Sequence, residues 1–155
     1  MTEVNIWLAE YAKDHQHPVN QRVHKICVPL IVISLIGLLW CIPVPAEFTR
    51  ISPALNWGTT FLLASIVYYF IMSIPLAIGM LPLVLLTVLI VNWADRLTWP
   101  LWLISGSVFV VAWAGQFYGH MVEGKRPAFF RDLQFLMIGP LWVLASLYRR
   151  LGIPI

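Results

Sequence analysis

The sequence predicts an all-α, polytopic membrane bundle: about four to five membrane helices, preceded by an interfacial amphipathic helix, in a single domain spanning residues 1–155. Three observations predict it. Apolar residues make up 60% of the chain and charged residues 11%, and the mean hydropathy is +0.81, a balance foreign to soluble domains. No Asp, Glu, Lys or Arg occurs between Lys25 and Glu47, Arg50 and Asp95, Arg96 and Glu123, or Asp132 and Arg149. A helix of about 20 apolar residues crosses a bilayer core, and the uncharged stretch 51–94 is about twice that length, so it holds a hairpin of two spans.

The elements follow in order. Residues 2–14 read as a short amphipathic helix, with Thr2 as cap and Val4, Trp7, Leu8 and Tyr11 at helical spacing. Such a helix suits a membrane surface, with Trp7 and Tyr11 at headgroup depth. Residues 15–20 contain Pro18 and read as a turn. A second helix starts near Asn20 and runs through His24 into a first span, 26–42, with Pro29 early, where proline costs least. Pro43, Pro45 and Pro53 mark a loop. Spans 56–73 and 81–93 flank residues 74–82, whose Pro75, Gly79 and Pro82 predict the turn of the hairpin. Residues 95–100 form a loop with Trp93, Trp99 and Trp102 at the interface. A fourth span covers about 101–118, residues 119–132 are polar, and 133–147 is a last apolar helix interrupted by Gly139-Pro140. That helix either crosses or lies partly buried at the interface.

The formal net charge of +3 is read through topology. Lys13, Arg22, Lys25, Lys125, Arg126 and Arg131 flank apolar segments, where they meet lipid headgroups and orient the chain with these ends in the cytoplasm. No basic run with interleaved polar residues predicts a nucleic-acid surface. Cys27 and Cys41 form no CxxC pair and read as small buried apolar residues rather than a disulfide or thiolate site. Residues 1–25 carry no secretory h-region or cleavage site, so the first span serves as its own anchor, in a bacterial inner membrane or the ER membrane.

All four histidines fall just outside the apolar stretches: His15, His17 and His24 before the first, His120 after the fourth. Four spans separate His24 from His120, and an even number of crossings returns the chain to its starting side. His15, His24 and His120 therefore share one face. His120 and Glu123, at i and i+3, share a helix face, and imidazoles with a carboxylate and open positions are the pattern of non-heme iron that activates dioxygen. Interfacial histidines that merely sit at headgroup depth fit the same spacing. Both readings stand on spacing alone.

The stretches HQHPVNQRVHKICVP and AWAGQFYGHMVEGKRPAFFRDL carry a resemblance. The first has Tyr11, His15, Asn20, His24 and Pro29; the second has Trp113, Gln116, Phe117, Gly119, His120, Glu123, Arg126, Pro127, Ala128 and Leu133, with Pro140 following. In this pattern the chain resembles the integral-membrane 2-hydroxy fatty acid dioxygenases, whose eukaryotic members make odd-chain fatty acids from phytosphingosine. The order of spans agrees, while the middle hairpin carries no matching motif, and the family commonly has Asn where this chain has His17. The resemblance implies an Fe(II)-dependent α-oxidation, with His15, His24 and His120 as metal ligands and Glu123 as a fourth ligand or an acceptor behind them. It implies a 2-hydroxy fatty acid and dioxygen as reactants and an acid one carbon shorter as product, the acyl tail lying among the apolar helices. Arg126 is the candidate partner of the substrate carboxylate, or else a lipid-phosphate contact. Asn20 and Gln116 orient the imidazoles or bridge helices, and Gly119 permits close packing. Two other functions remain open at this point: a b-type heme protein with two of the histidines as axial ligands, and a non-catalytic lipid-binding scaffold.

Overall fold

The computed structural model describes residues 3–125 and 133–155, and among them the chain is helical with no strand. The order is α1 (Glu3–Lys13), α2 (Pro18–Trp40), α3 (Ala46–Ile51), α4 (Trp57–Met72), α5 (Ile74–Ala94), α6 (Leu101–Glu123) and α7 (Leu133–Leu151). Among the described residues three helices, α2, α5 and α6, are long and apolar enough to cross a membrane, as expected of a helical membrane bundle. At 16 residues α4 is shorter, about 24 Å against a hydrocarbon core of about 30 Å.

Several boundaries differ from the sequence reading, each for a local reason. Helix α2 begins at Pro18, not near Asn20: the His17 ring accepts from the Val19 N–H, and proline suits a first turn whose N–H has no partner. The predicted turn over 74–82 is instead the first part of α5. The hairpin turns on Ser73 alone, whose N–H closes α4 on the Tyr69 carbonyl while its hydroxyl accepts from the Leu76 N–H. Pro75 belongs to the first turn of α5 and Pro82 lies inside it. Gly139-Pro140 does not interrupt α7 either. The loop after α2 contains the short α3, and α6 runs on to Glu123, ending at Gly124 with φ 74°.

Helices α2 and α6 pack antiparallel over their whole length because small residues of α6 face α2. A Cβ added at Gly115 would stand 2.7 Å from Cys27 Sγ, and one at Gly119 would stand 2.5 Å from Asn20 Oδ1. Helix α4 returns beside α2, its Gly58 against Ile36. Trp93, Trp99 and Trp102 are exposed around the α5–α6 turn.

Helix α7 meets the others at one end of the bundle. Its Met137 carbonyl accepts from Tyr69 near the end of α4, and Tyr148 donates to the Pro75 carbonyl at the start of α5. Trp142 lies under the ammonium of Lys25 in the first turns of α2. Helix α1 joins it there, Val4, Leu8 and Tyr11 forming one core with Phe135, Ile138 and Leu141. The apolar face of α1 thus packs on α7. Tyr11 is buried and Trp7 packs edge-on against Phe135, 6.2 Å between centroids.

Candidate metal centre

Three elements converge beneath the α1–α7 cap. The turn after α1 brings His15, the first turns of α2 bring His24, and the last turn of α6 brings His120. All three are buried, and ligand atoms of the three rings lie within 4.8 Å of one another. Ring centroids are 4.1 Å apart for His15 and His24, 4.9 Å for His24 and His120, and 5.2 Å for His15 and His120.

Hydrogen bonding sets the tautomers. His15 Nδ1 lies 2.6 Å from the Tyr11 carbonyl oxygen, and His24 Nδ1 lies 3.1 Å from that of Asn20. A carbonyl only accepts, so each Nδ1 carries the proton and each Nε2 presents a lone pair. Those two Nε2 atoms face each other at 2.8 Å. Two lone pairs at that distance repel unless a cation lies between them. Imidazole nitrogens bound at about 2.1 Å and at right angles on one ion stand about 3 Å apart, so the pair is close to a ligand spacing. His120 Nδ1 is buried without a hydrogen-bond partner among the described residues. The donor set fits a divalent metal of the imidazole-binding kind. Burial also pushes the His15 imidazole below its ordinary pKa, which favours the neutral form that ligates.

The turn that carries His15 is fastened from α6. Glu123 Oε1 accepts from the Gln16 N–H at 2.9 Å, and Oε2 accepts from the His17 N–H at 2.7 Å and from Asn20 Nδ2 at 3.1 Å. Lys125 adds a hydrogen bond to the Lys13 carbonyl and an ion pair with Asp14 at 3.4 Å. Glu123 therefore stands outside the group of three imidazoles, and its two oxygens accept from amide donors. His17 is exposed and caps α2. Arg126 lies outside the described residues.

Two contributors were not singled out from sequence. Trp142 packs on His15 at 5.5 Å between centroids, and Phe135 lies against Tyr11 at 5.8 Å. Both belong to α7, where their spacing reads only as the apolar stripe of a helix. Tyr11 stacks on His15 at 4.3 Å with 12° between planes. Tyr11 and Phe135 line a small chamber of about 40 Å³ beside the imidazoles, with Trp113 and Gln116. A water occupies roughly 10–15 Å³ on this measure, so the chamber takes a few small groups, not a long ligand. Gln116 Oε1 is buried there with no partner among the described residues.

A family model described as "2-hydroxy-palmitic acid dioxygenase Mpo1-like" matches residues 1–151. The chain belongs to the Mpo1-like family. No curated protein and no solved structure matches it. The Mpo1-like match takes in every element that builds the centre, from α1 through α7, and its name is that of a dioxygenase.

Proposed function

We propose that the chain is an iron(II)-dependent dioxygenase that shortens 2-hydroxy fatty acids by one carbon. The observation that carries this is the group of buried imidazoles, with the lone pairs of His15 and His24 opposed at 2.8 Å, in a chain of the Mpo1-like family. His15, His24 and His120 would hold the ion, and three protein ligands leave positions for substrate and dioxygen. Iron(II) would supply the redox chemistry that lets dioxygen react with the 2-hydroxy acid.

The chain's own residues supply binding, orientation and dryness. Gln116 Oε1, buried and without a partner among the described residues, would accept from the substrate's 2-hydroxyl. Plain palmitate has no such donor and cannot chelate through a carboxylate–hydroxyl pair. Tyr11 and Phe135 line the chamber and would shield it from water, which would strengthen polar contacts inside. Glu123 and Asn20 position the turn that carries His15. Arg126 is the proposed partner of the substrate carboxylate. The overall change balances without another reductant: C2 rises to a carboxylic acid, C1 leaves as carbon dioxide, and dioxygen takes the electrons to give water.

The basic residues Lys13, Arg22, Lys25 and Lys125 cluster at the histidine end, which supports a cytoplasmic orientation of the site by the positive-inside tendency, in a bacterial inner membrane or the ER membrane. A bis-histidine heme is disfavoured, because axial ligands approach from opposite faces of a macrocycle while these rings touch directly. The test is metal analysis after anaerobic purification, followed by product analysis with 2-hydroxypalmitate. Bound iron and a fifteen-carbon acid are expected. A protein without bound metal at substantial occupancy would favour a lipid-binding scaffold.

A further inference from the structure

Beneath the small chamber lies a much larger one, of about 500 Å³, within the roughly 300–1,000 Å³ typical of small-molecule sites. Three residues line both: Val28 and Val32, one turn apart on α2, and Leu136 on α7. The two chambers are therefore neighbours, with these three aliphatic side chains as the boundary, or neck, between them. The α2 wall of the large chamber runs from Val28 to Leu35, away from His24, a rise of about 10 Å. Its α5 wall runs from Gly79 to Thr87, about 12 Å. Helix α4 is antiparallel to α2, so Phe61 and Leu62 lie towards the same deep end as Leu35.

Among the described residues the walls carry no charge. Their hydroxyls are all engaged with backbone carbonyls: Ser65 with Phe61, Tyr69 with Met137, Thr87 with Leu83 and Tyr148 with Pro75. A ligand with polar groups would find no donor here, whereas a hydrocarbon chain needs none. The polar groups able to hold an acid lie instead on the far side of the neck. We infer that this chamber holds the alkyl chain of the 2-hydroxy acid whose head lies at the histidines, threaded between Val28, Val32 and Leu136, and that the deep wall formed by Leu35, Phe61, Leu62 and Thr87 limits chain length. The inference rests on the proposed reading of the histidine centre, to which it adds the substrate's tail subsite and the residues that set length preference.

The test is photolabelling of the whole protein in detergent, zinc-loaded so that no turnover is needed. The probe is 2-hydroxyhexadecanoic acid bearing a terminal diazirine, and adducts are mapped by peptide mass spectrometry. Adducts at Leu35, Phe61, Leu62 or Thr87 that disappear with excess 2-hydroxypalmitate are expected. Thr87→Phe should weaken 2-hydroxypalmitate binding at least tenfold and leave 2-hydroxyhexanoate unchanged, since each buried methylene is worth about fourfold in affinity. Adducts confined to the outward face of α5, at the exposed Leu85 and Leu89, would overturn the inference. So would chamber adducts displaced by phospholipid but not by 2-hydroxypalmitate, which would identify a packing lipid. Labelling of the deep wall in a protein whose iron form is inactive would sink the reaction and leave the chamber standing. An active enzyme labelled only on its outer face would do the reverse.

Discussion

Replacing Glu123 by alanine removes the acceptor that ties the His15 turn to α6. Three hydrogen bonds are lost, from the amides of Gln16 and His17 and from Asn20 Nδ2. Bonds to a charged group are each worth about 1.5–3 kcal/mol where water is excluded. The two amide bonds are exposed, so water substitutes for much of them, and the net loss falls to about 2 kcal/mol. The larger effect lies in the metal centre. His15 keeps its bond to the Tyr11 carbonyl, but the turn that aims it loses its tether, and loss of such a partner lowers metal affinity about 10–100-fold. Glu123→Gln keeps one carbonyl acceptor and turns an NH₂ group towards a donor, so it should fall between the two. Affinity is read by chelator competition and turn integrity by hydrogen exchange at Gln16 and His17. Unchanged affinity and melting in Glu123→Ala would refute the tether. Loss of metal while both amides stay protected would make Glu123 a ligand instead.

The remaining predictions follow from the same geometry. His24→Ala or His120→Ala should abolish metal retention and turnover, whereas His17→Ala should cost only a helix cap, about 1 kcal/mol in a thermal melt, with metal content near that of the unaltered protein. Gly119→Leu should force α2 and α6 apart at Asn20 and Val23, cutting metal occupancy more than Gly106→Leu, where a Cβ meets nothing within 4 Å. Burial holds the folded-state pKa of His15 below 6.5, so its contribution to stability is complete above that value and drains as pH falls below it. The metal-free protein should therefore melt lower at about pH 5 than at neutral pH, and a His15→Gln protein should show a smaller drop.

Much of this was legible in the chain, and the failures have physical causes. Charge-free stretches mark helices because a bilayer core excludes charge, and an even count between His24 and His120 was enough to bring them to one end. The α4–α5 hairpin was misplaced because prolines were read as breaks. Pro75 sits in a first turn where its missing N–H costs little, and Pro82 and Pro140 lie inside helices whose apolar surroundings tolerate them. The role of Glu123 was hidden for another reason. Its i+3 spacing from His120 places it on the right face, but its partners are amides more than 100 residues earlier, at a separation of 107 for Gln16. Only the tertiary fold shows that those donors take both oxygens. Likewise Phe135 and Trp142 look like any core stripe until α7 is seen lying across the histidines.

The most direct measurement loads the anaerobically purified protein with iron(II) or with zinc, adds 2-hydroxypalmitate, and follows the acids by mass spectrometry as air is admitted. The iron form should produce a fifteen-carbon acid only after dioxygen enters, and the zinc form should produce none, because zinc has no redox chemistry. Equal turnover by the zinc form, or chain shortening without oxygen, would contradict the account.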